Sequence, residues 1–125
     1  MSTVMIRFAA AYFVVGIALG IYMASTGNYT QMPVHAHINL LGWVSLAVAG
    51  ILYRLWPEAG QTRLAKAHFA LYNAGFPIMT IALVLYLQGV ARAEPFVALG
   101  AVLLGAGVLI FTLNVLINFR SQPIR

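Results

Sequence analysis

Four apolar stretches, each close to the roughly 20 residues that a helix needs to cross a bilayer, dominate the chain and leave only short polar breaks between them. They cover about residues 4–24, 34–56, 66–90 and 96–119. Ser25-Thr26-Gly27-Asn28 followed by Pro33 breaks the first from the second, Pro57 and Gly60 separate the second from the third, and Arg92 to Pro95 make the last turn. The pattern predicts an all-α integral membrane four-helix bundle, with residues 1–125 forming a single membrane domain. The first stretch is uncharged beyond Arg7 and longer than the apolar core of a cleaved signal peptide, so it is expected to remain in the protein.

Composition agrees with this reading. The chain is 62% hydrophobic and 7% charged, where a soluble domain carries about 25% charged residues. Too little polar surface is present to cover a water-soluble globule, and the lipid bilayer is the expected solvent. Cysteine is absent, which excludes disulfides, thiolate zinc sites, iron–sulfur clusters and covalent c-type haem attachment. The net charge of +5 does not point to nucleic acid, because the basic residues sit at helix ends and do not cluster with aromatics. Arg7, Arg54, Arg63, Lys66, Arg120 and Arg125 fall on one side of the predicted bundle and Arg92 on the other. By the positive-inside bias both termini are cytoplasmic, and a bacterial inner membrane is the expected location.

Chemistry concentrates at the start of the second stretch, in Pro33-Val34-His35-Ala36-His37-Ile38-Asn39-Leu40-Leu41-Gly42-Trp43. Two residues of helix turn the side chains about 200° apart. His35 and His37 therefore face different neighbours, and one helix cannot present both to a single porphyrin iron. Each is expected to enter a site shared with another helix, the bland alternative being interfacial histidines bonded to loop carbonyls or lipid headgroups. His68 lies at the opposite end of the bundle, on the order of 20 to 30 Å away, so one ion cannot reach both sets within a chain. With Asn73 and the helix-interrupting Pro77 nearby, His68 marks a second small polar site, or simply a boundary histidine.

Other features read as structural. Asn39, Asn73 and Asn114 are expected to tie helices together by hydrogen bonds. Tyr53, Trp56 and Tyr86 fit interfacial aromatic belts, and Arg7 and Arg54 can snorkel to the boundary. Gly16 and Gly20 form a GxxxG step, and Ala101, Gly105 and Gly107 give the fourth helix small faces for close packing. The five methionines show no cluster suited to thioether-bound copper.

The segment from Pro33 to Trp56 resembles the second helix of the catalytic subunit, subunit I, of haem-copper oxidases and nitric oxide reductases. His35-Ala36-His37 is similar to the His-x-His pair that serves two neighbouring haems in that family. Asn39, Gly42 and Trp43 extend the resemblance, also toward haem- and copper-binding nitric oxide response proteins. The likeness covers the second and third helices. The family's subunit has twelve spanning helices in three four-helix arcs, whereas this chain has enough for one arc, and a homotrimer would restore twelve. The resemblance implies a haem b held by His35 of one chain and His37 of its neighbour. It implies electron transfer or binding of oxygen or nitric oxide, with a quinol or a cytochrome as electron partner. Arg92 stands in the loop that matches the family's propionate-binding arginines. The pattern departs from the family in lacking a further histidine pair for copper and a histidine–tyrosine crosslink motif. If the chain is an enzyme, the resemblance makes it an oxidoreductase, which would also need an open coordination position and a proton path. The readings set against haem are a membrane module that binds non-haem copper or zinc through shared imidazoles and a structural or assembly subunit.

Overall fold

A computed structural model describes residues 1–120; Arg125, counted above among the terminal-side charges, lies outside the described residues. Four long helices account for most of the chain: α1 (Ser2–Thr26), α2 (Met32–Leu55), α3 (Arg63–Leu87) and α4 (Glu94–Asn118). Each is long and apolar enough to cross a membrane. A single turn, Pro57–Gly60, joins α2 to α3, and a 3-10 turn, Ala91–Ala93, precedes α4. The N-terminus, the α2–α3 connection and the end of α4 at Asn118 lie at one end, the terminal end. The α1–α2 and α3–α4 connections lie at the other, the two-loop end.

Helix limits follow local chemistry. Gly27 closes α1 in the left-handed region at φ 65, where a residue without Cβ is unstrained. Asn28 Oδ1 then accepts from Thr30 N–H at 3.0 Å and makes a tight turn. Pro33 sits in the first turn of α2, where its missing N–H costs nothing. Thr62 caps α3, its hydroxyl accepting from Ala65 N–H at 3.1 Å, so this helix begins at Arg63 instead of 66. Gly89, at φ 94, lies just past its end at Leu87, three residues before the expected limit. The helix continues through Pro77.

Packing is pairwise first. α1 lies along α2 and α3 along α4. The second pair is close because α3 and α4 set glycines against backbone: a Cβ at Gly75 would meet Leu104 N at 2.6 Å, and one at Gly107 would meet Tyr72 N at 3.1 Å. Of the small residues expected to pack, Gly107 does so. Ala101 is exposed, and a Cβ at Gly105 would meet nothing within 4 Å. The pairs are joined by the edge-on contact of Tyr12 with Phe76 and by Tyr53, which packs on His68 and Phe111. Large apolar side chains cover the outside, Val14, Ile21, Leu109 and Leu116 each at 65% exposure or more. Such a surface is compatible with contact with lipid.

Sequence periodicity does not foresee the middle of α2. Residues Ile38–Ser45 form a π-helical segment, a rare geometry found mostly as short bulges inside α-helices and frequently at functional sites. Carbonyls in this wider turn gain side-chain partners. Tyr72 Oη donates to Leu41 O at 2.9 Å, and Ser45 Oγ donates to Leu40 O at 2.7 Å. Gly42 admits Phe76 and Tyr12 against the backbone, and Trp43 stacks on Phe13 at 4.9 Å.

Candidate functional site

His35 and Asn39 stand one turn apart on the face of α2 that meets α1. Gly16 and Gly20, one turn apart on α1, form their seat. A Cβ at Gly16 would lie 2.7 Å from Asn39 Oδ1, and one at Gly20 would lie 3.0 Å from His35 Cε1. The GxxxG step thus accommodates an imidazole and an amide. Gly20 is six residues from the end of α1, which sets the ring about 9 Å inside the two-loop end.

The hydrogen bonds decide which ring nitrogen carries the proton. His35 Nδ1 lies 3.0 Å from Gly16 O, and a carbonyl only accepts. In the neutral ring Nδ1 therefore donates, leaving the lone pair on Nε2. Asn39 Nδ2 lies 3.4 Å from that same Nδ1 but 2.9 Å from His35 O, and its donation goes to the carbonyl. His37 repeats the arrangement within its own helix, Nδ1 donating to Pro33 O at 2.6 Å. Both histidines are partly exposed and present Nε2 as the basic nitrogen. A ring fixed by an Nδ1–H bond to a backbone carbonyl, with Nε2 free to coordinate, is the form in which imidazole ligates metals.

Within one chain these two nitrogens do not make a complete site. The rings leave α2 about 200° apart, and no group of three or more His, Asp or Glu side chains able to hold an ion occurs among the described residues. Arg92 is exposed at the two-loop end, where it lines a groove between α3 and α4 bounded by Pro77, Ile81 and Phe96. Neither His35 nor His37 of its own chain lines that groove.

His68 occupies a different environment from the expected boundary position. It is 1% exposed. Its Nδ1 lies 3.1 Å from Tyr53 Oη, and Asn114 Nδ2 reaches that same hydroxyl at 3.4 Å. Asn114, fully buried, also donates to Ala59 O at 3.1 Å and accepts from Thr62 Oγ1 at 3.0 Å and from Asn118 Nδ2 at 2.8 Å. The result is a buried polar cluster that joins α2, α3, α4 and the Pro57–Gly60 turn. Asn73, expected beside His68, instead donates to Phe69 O of its own helix at 2.8 Å. Among the described residues Asn114 alone of the three intramembrane asparagines has hydrogen bonds that bridge elements, because Asn39 and Asn73 find an acceptor on the preceding turn. Tyr53, read from sequence as a belt residue, is 3% exposed and holds the centre of the cluster. Its pairing with a histidine fifteen residues on had no local signal; the polar Thr62 and Asn114 were the available hints.

Tyr53 is eighteen residues along α2 from His35, about 27 Å at helical rise. The histidine pair and the His68 cluster are thus separate sites at opposite ends. No protein-family model, curated protein or solved structure matches the chain.

Proposed function

We propose that this chain binds haem b within a membrane and serves electron transfer or the binding of a diatomic gas, oxygen or nitric oxide. The observation that carries the reading is the shared state of His35 and His37: each ties Nδ1–H to a backbone carbonyl and keeps the Nε2 lone pair for a metal. The donor set fits haem, which takes axial imidazole nitrogen. Because the rings diverge, a complete site needs His35 of one chain and His37 of its neighbour. A closed homotrimer supplies that pairing three times, since each interface joins two different faces. Twelve helices would then surround the axis. Both termini would be cytoplasmic, in a bacterial inner membrane, with a quinol or a cytochrome as electron partner. Haem held by two imidazoles would supply a one-electron centre, and held by one it would offer a place for a diatomic gas. The chain's own part is orientation: Gly16 and Gly20 seat the His35 ring, and the Gly16 and Pro33 carbonyls fix the tautomers.

Absorption spectra of the purified protein and of His35→Ala and His37→Ala test this reading. A Soret band with a low-spin spectrum is expected, lost or converted in either variant. Spectra unchanged in both variants would sink the assignment. Stoichiometric copper or zinc without a Soret band would identify the non-haem module, and neither would leave a structural or assembly subunit. Particle mass in lipid nanodiscs tests the trimer, and a monomer or an exclusive dimer would count against it.

A further inference from the structure

Arg92 stands at the mouth of a groove of about 510 Å³ between α3 and α4 whose other lining residues are all apolar, among them Pro77, Ile81, Leu85, Val90 and Phe96. From this juxtaposition we infer that the α3–α4 groove is a binding site for an anionic phospholipid, one acyl chain lying in the groove and the headgroup phosphate on Arg92. The inference does not rest on the haem reading.

Dimensions and charge both fit. Pro77, the deepest lining residue, lies ten residues before the end of α3, about 15 Å along the helix. That depth is half of the roughly 30 Å hydrocarbon core, the reach of one leaflet's acyl chain. The groove begins where a lipid headgroup lies, at the turn between α3 and α4. There Gly89, at φ 94, turns the chain so that Val90 and Arg92 come back over the end of the helix. A guanidinium at this height forms charge-assisted, bidentate hydrogen bonds to a phosphate. The competing carboxylates are few: the chain contains two acidic residues, Glu58 at the terminal end and Glu94 in the first turn of α4. A second copy docked in the groove would bring one acid of matching height, its own Glu94.

Native mass spectrometry of the full chain, released from nanodiscs of equal phosphatidylglycerol and phosphatidylcholine, reads the site directly. Wild type is expected to retain phosphatidylglycerol in preference to phosphatidylcholine. Arg92→Gln should lower the preference about fivefold, the factor that one basic residue contributes at a membrane surface, the basic residues of the terminal end keeping theirs, and Ile81→Trp, which fills the groove while leaving the charge, should lower retention of both lipids. Helical circular dichroism verifies that each variant is folded, and Leu85→Trp replaces Ile81→Trp if that variant fails to fold. Equal retention of the two lipids by wild type, or unchanged retention in Arg92→Gln, would overturn the proposal. So would loss of haem without loss of lipid in Arg92→Gln, which returns the arginine to propionate binding. A drop in oligomer mass in both Arg92→Gln and Glu94→Gln would also overturn it, because the groove would then belong to a second copy.

Discussion

His35 Nδ1 lies 3.0 Å from Gly16 O, so the imidazole of α2 is held by the backbone of α1. The contact exists because glycine occupies both Gly16 and Gly20; a methyl at either place would stand at 2.7 Å from Asn39 or 3.0 Å from His35. Ring orientation, tautomer and helix spacing are therefore coupled. A change at the glycines reaches the histidine without touching it chemically.

Gly16→Ala and Gly20→Ala are each expected to lower stability by about 1–3 kcal/mol, the usual cost of overpacking. If haem is bound as proposed, either should also weaken its His35-dependent spectrum. Gly105→Ala is the control, since its Cβ meets no atom within 4 Å and helix propensity favours alanine by up to about 1 kcal/mol. Unfolding of detergent-solubilised protein, followed by circular dichroism, measures the difference. Equal stability of the three variants would contradict the seat described for His35 and Asn39.

Tyr53→Phe should cost about 1–3 kcal/mol, because His68 Nδ1 and one Asn114 bond lose the hydroxyl that joins them in a buried setting. Tyr86→Phe, on an exposed residue, should leave stability within about 0.5 kcal/mol of wild type. The comparison separates a buried cluster from an aromatic belt, and similar values for both would favour the belt.

His68→Ala is expected to destabilise the protein while leaving the absorption spectrum of any bound haem unchanged. The separation of about 27 Å from His35 along α2 is the reason. Loss of low-spin features in this variant, with helicity intact, would mean that His68 takes part in ligation.

Tyr72→Phe removes the donor to Leu41 O in the π segment. We expect a loss of about 0.5–1.5 kcal/mol from the missing hydrogen bond and faster hydrogen exchange across residues 41–46, which that bond braces. Exchange rates identical to wild type would show that the wide turn holds without the hydroxyl.

Much of this was legible in one dimension, and particular residues show where legibility ended. The third apolar stretch begins at Lys66, three residues after the helix itself, because Thr62 caps the helix before Arg63 and the cap chemistry of threonine tolerates polar and charged residues in the first turn. Asn39 and Asn73 looked like ties between helices, yet each is satisfied by a carbonyl four residues back. An amide in an apolar bundle takes whichever acceptor lies nearest, and on a helix that is the preceding turn.

The sequence by itself determined the number of helices, their apolar character and the divergence of His35 from His37, because length, hydropathy and helical period are properties of single segments. Tertiary structure alone decided that Gly16 and Gly20 would seat His35 and Asn39, that Tyr53 would join His68 to Asn114, and that Arg92 would head a groove away from the histidines of its own chain. Each of these depends on which face of one helix meets which face of another. Residues such as Gly16 and Asn39, or Tyr53 and Asn114, are separated by loops whose geometry sets the helix rotation, and the π segment of α2 shifts that rotation partway along. Hydropathy in an almost uniformly apolar helix carries little information about rotation, with α1 and α4 apolar on every side. The partners of these polar side chains were therefore settled by packing.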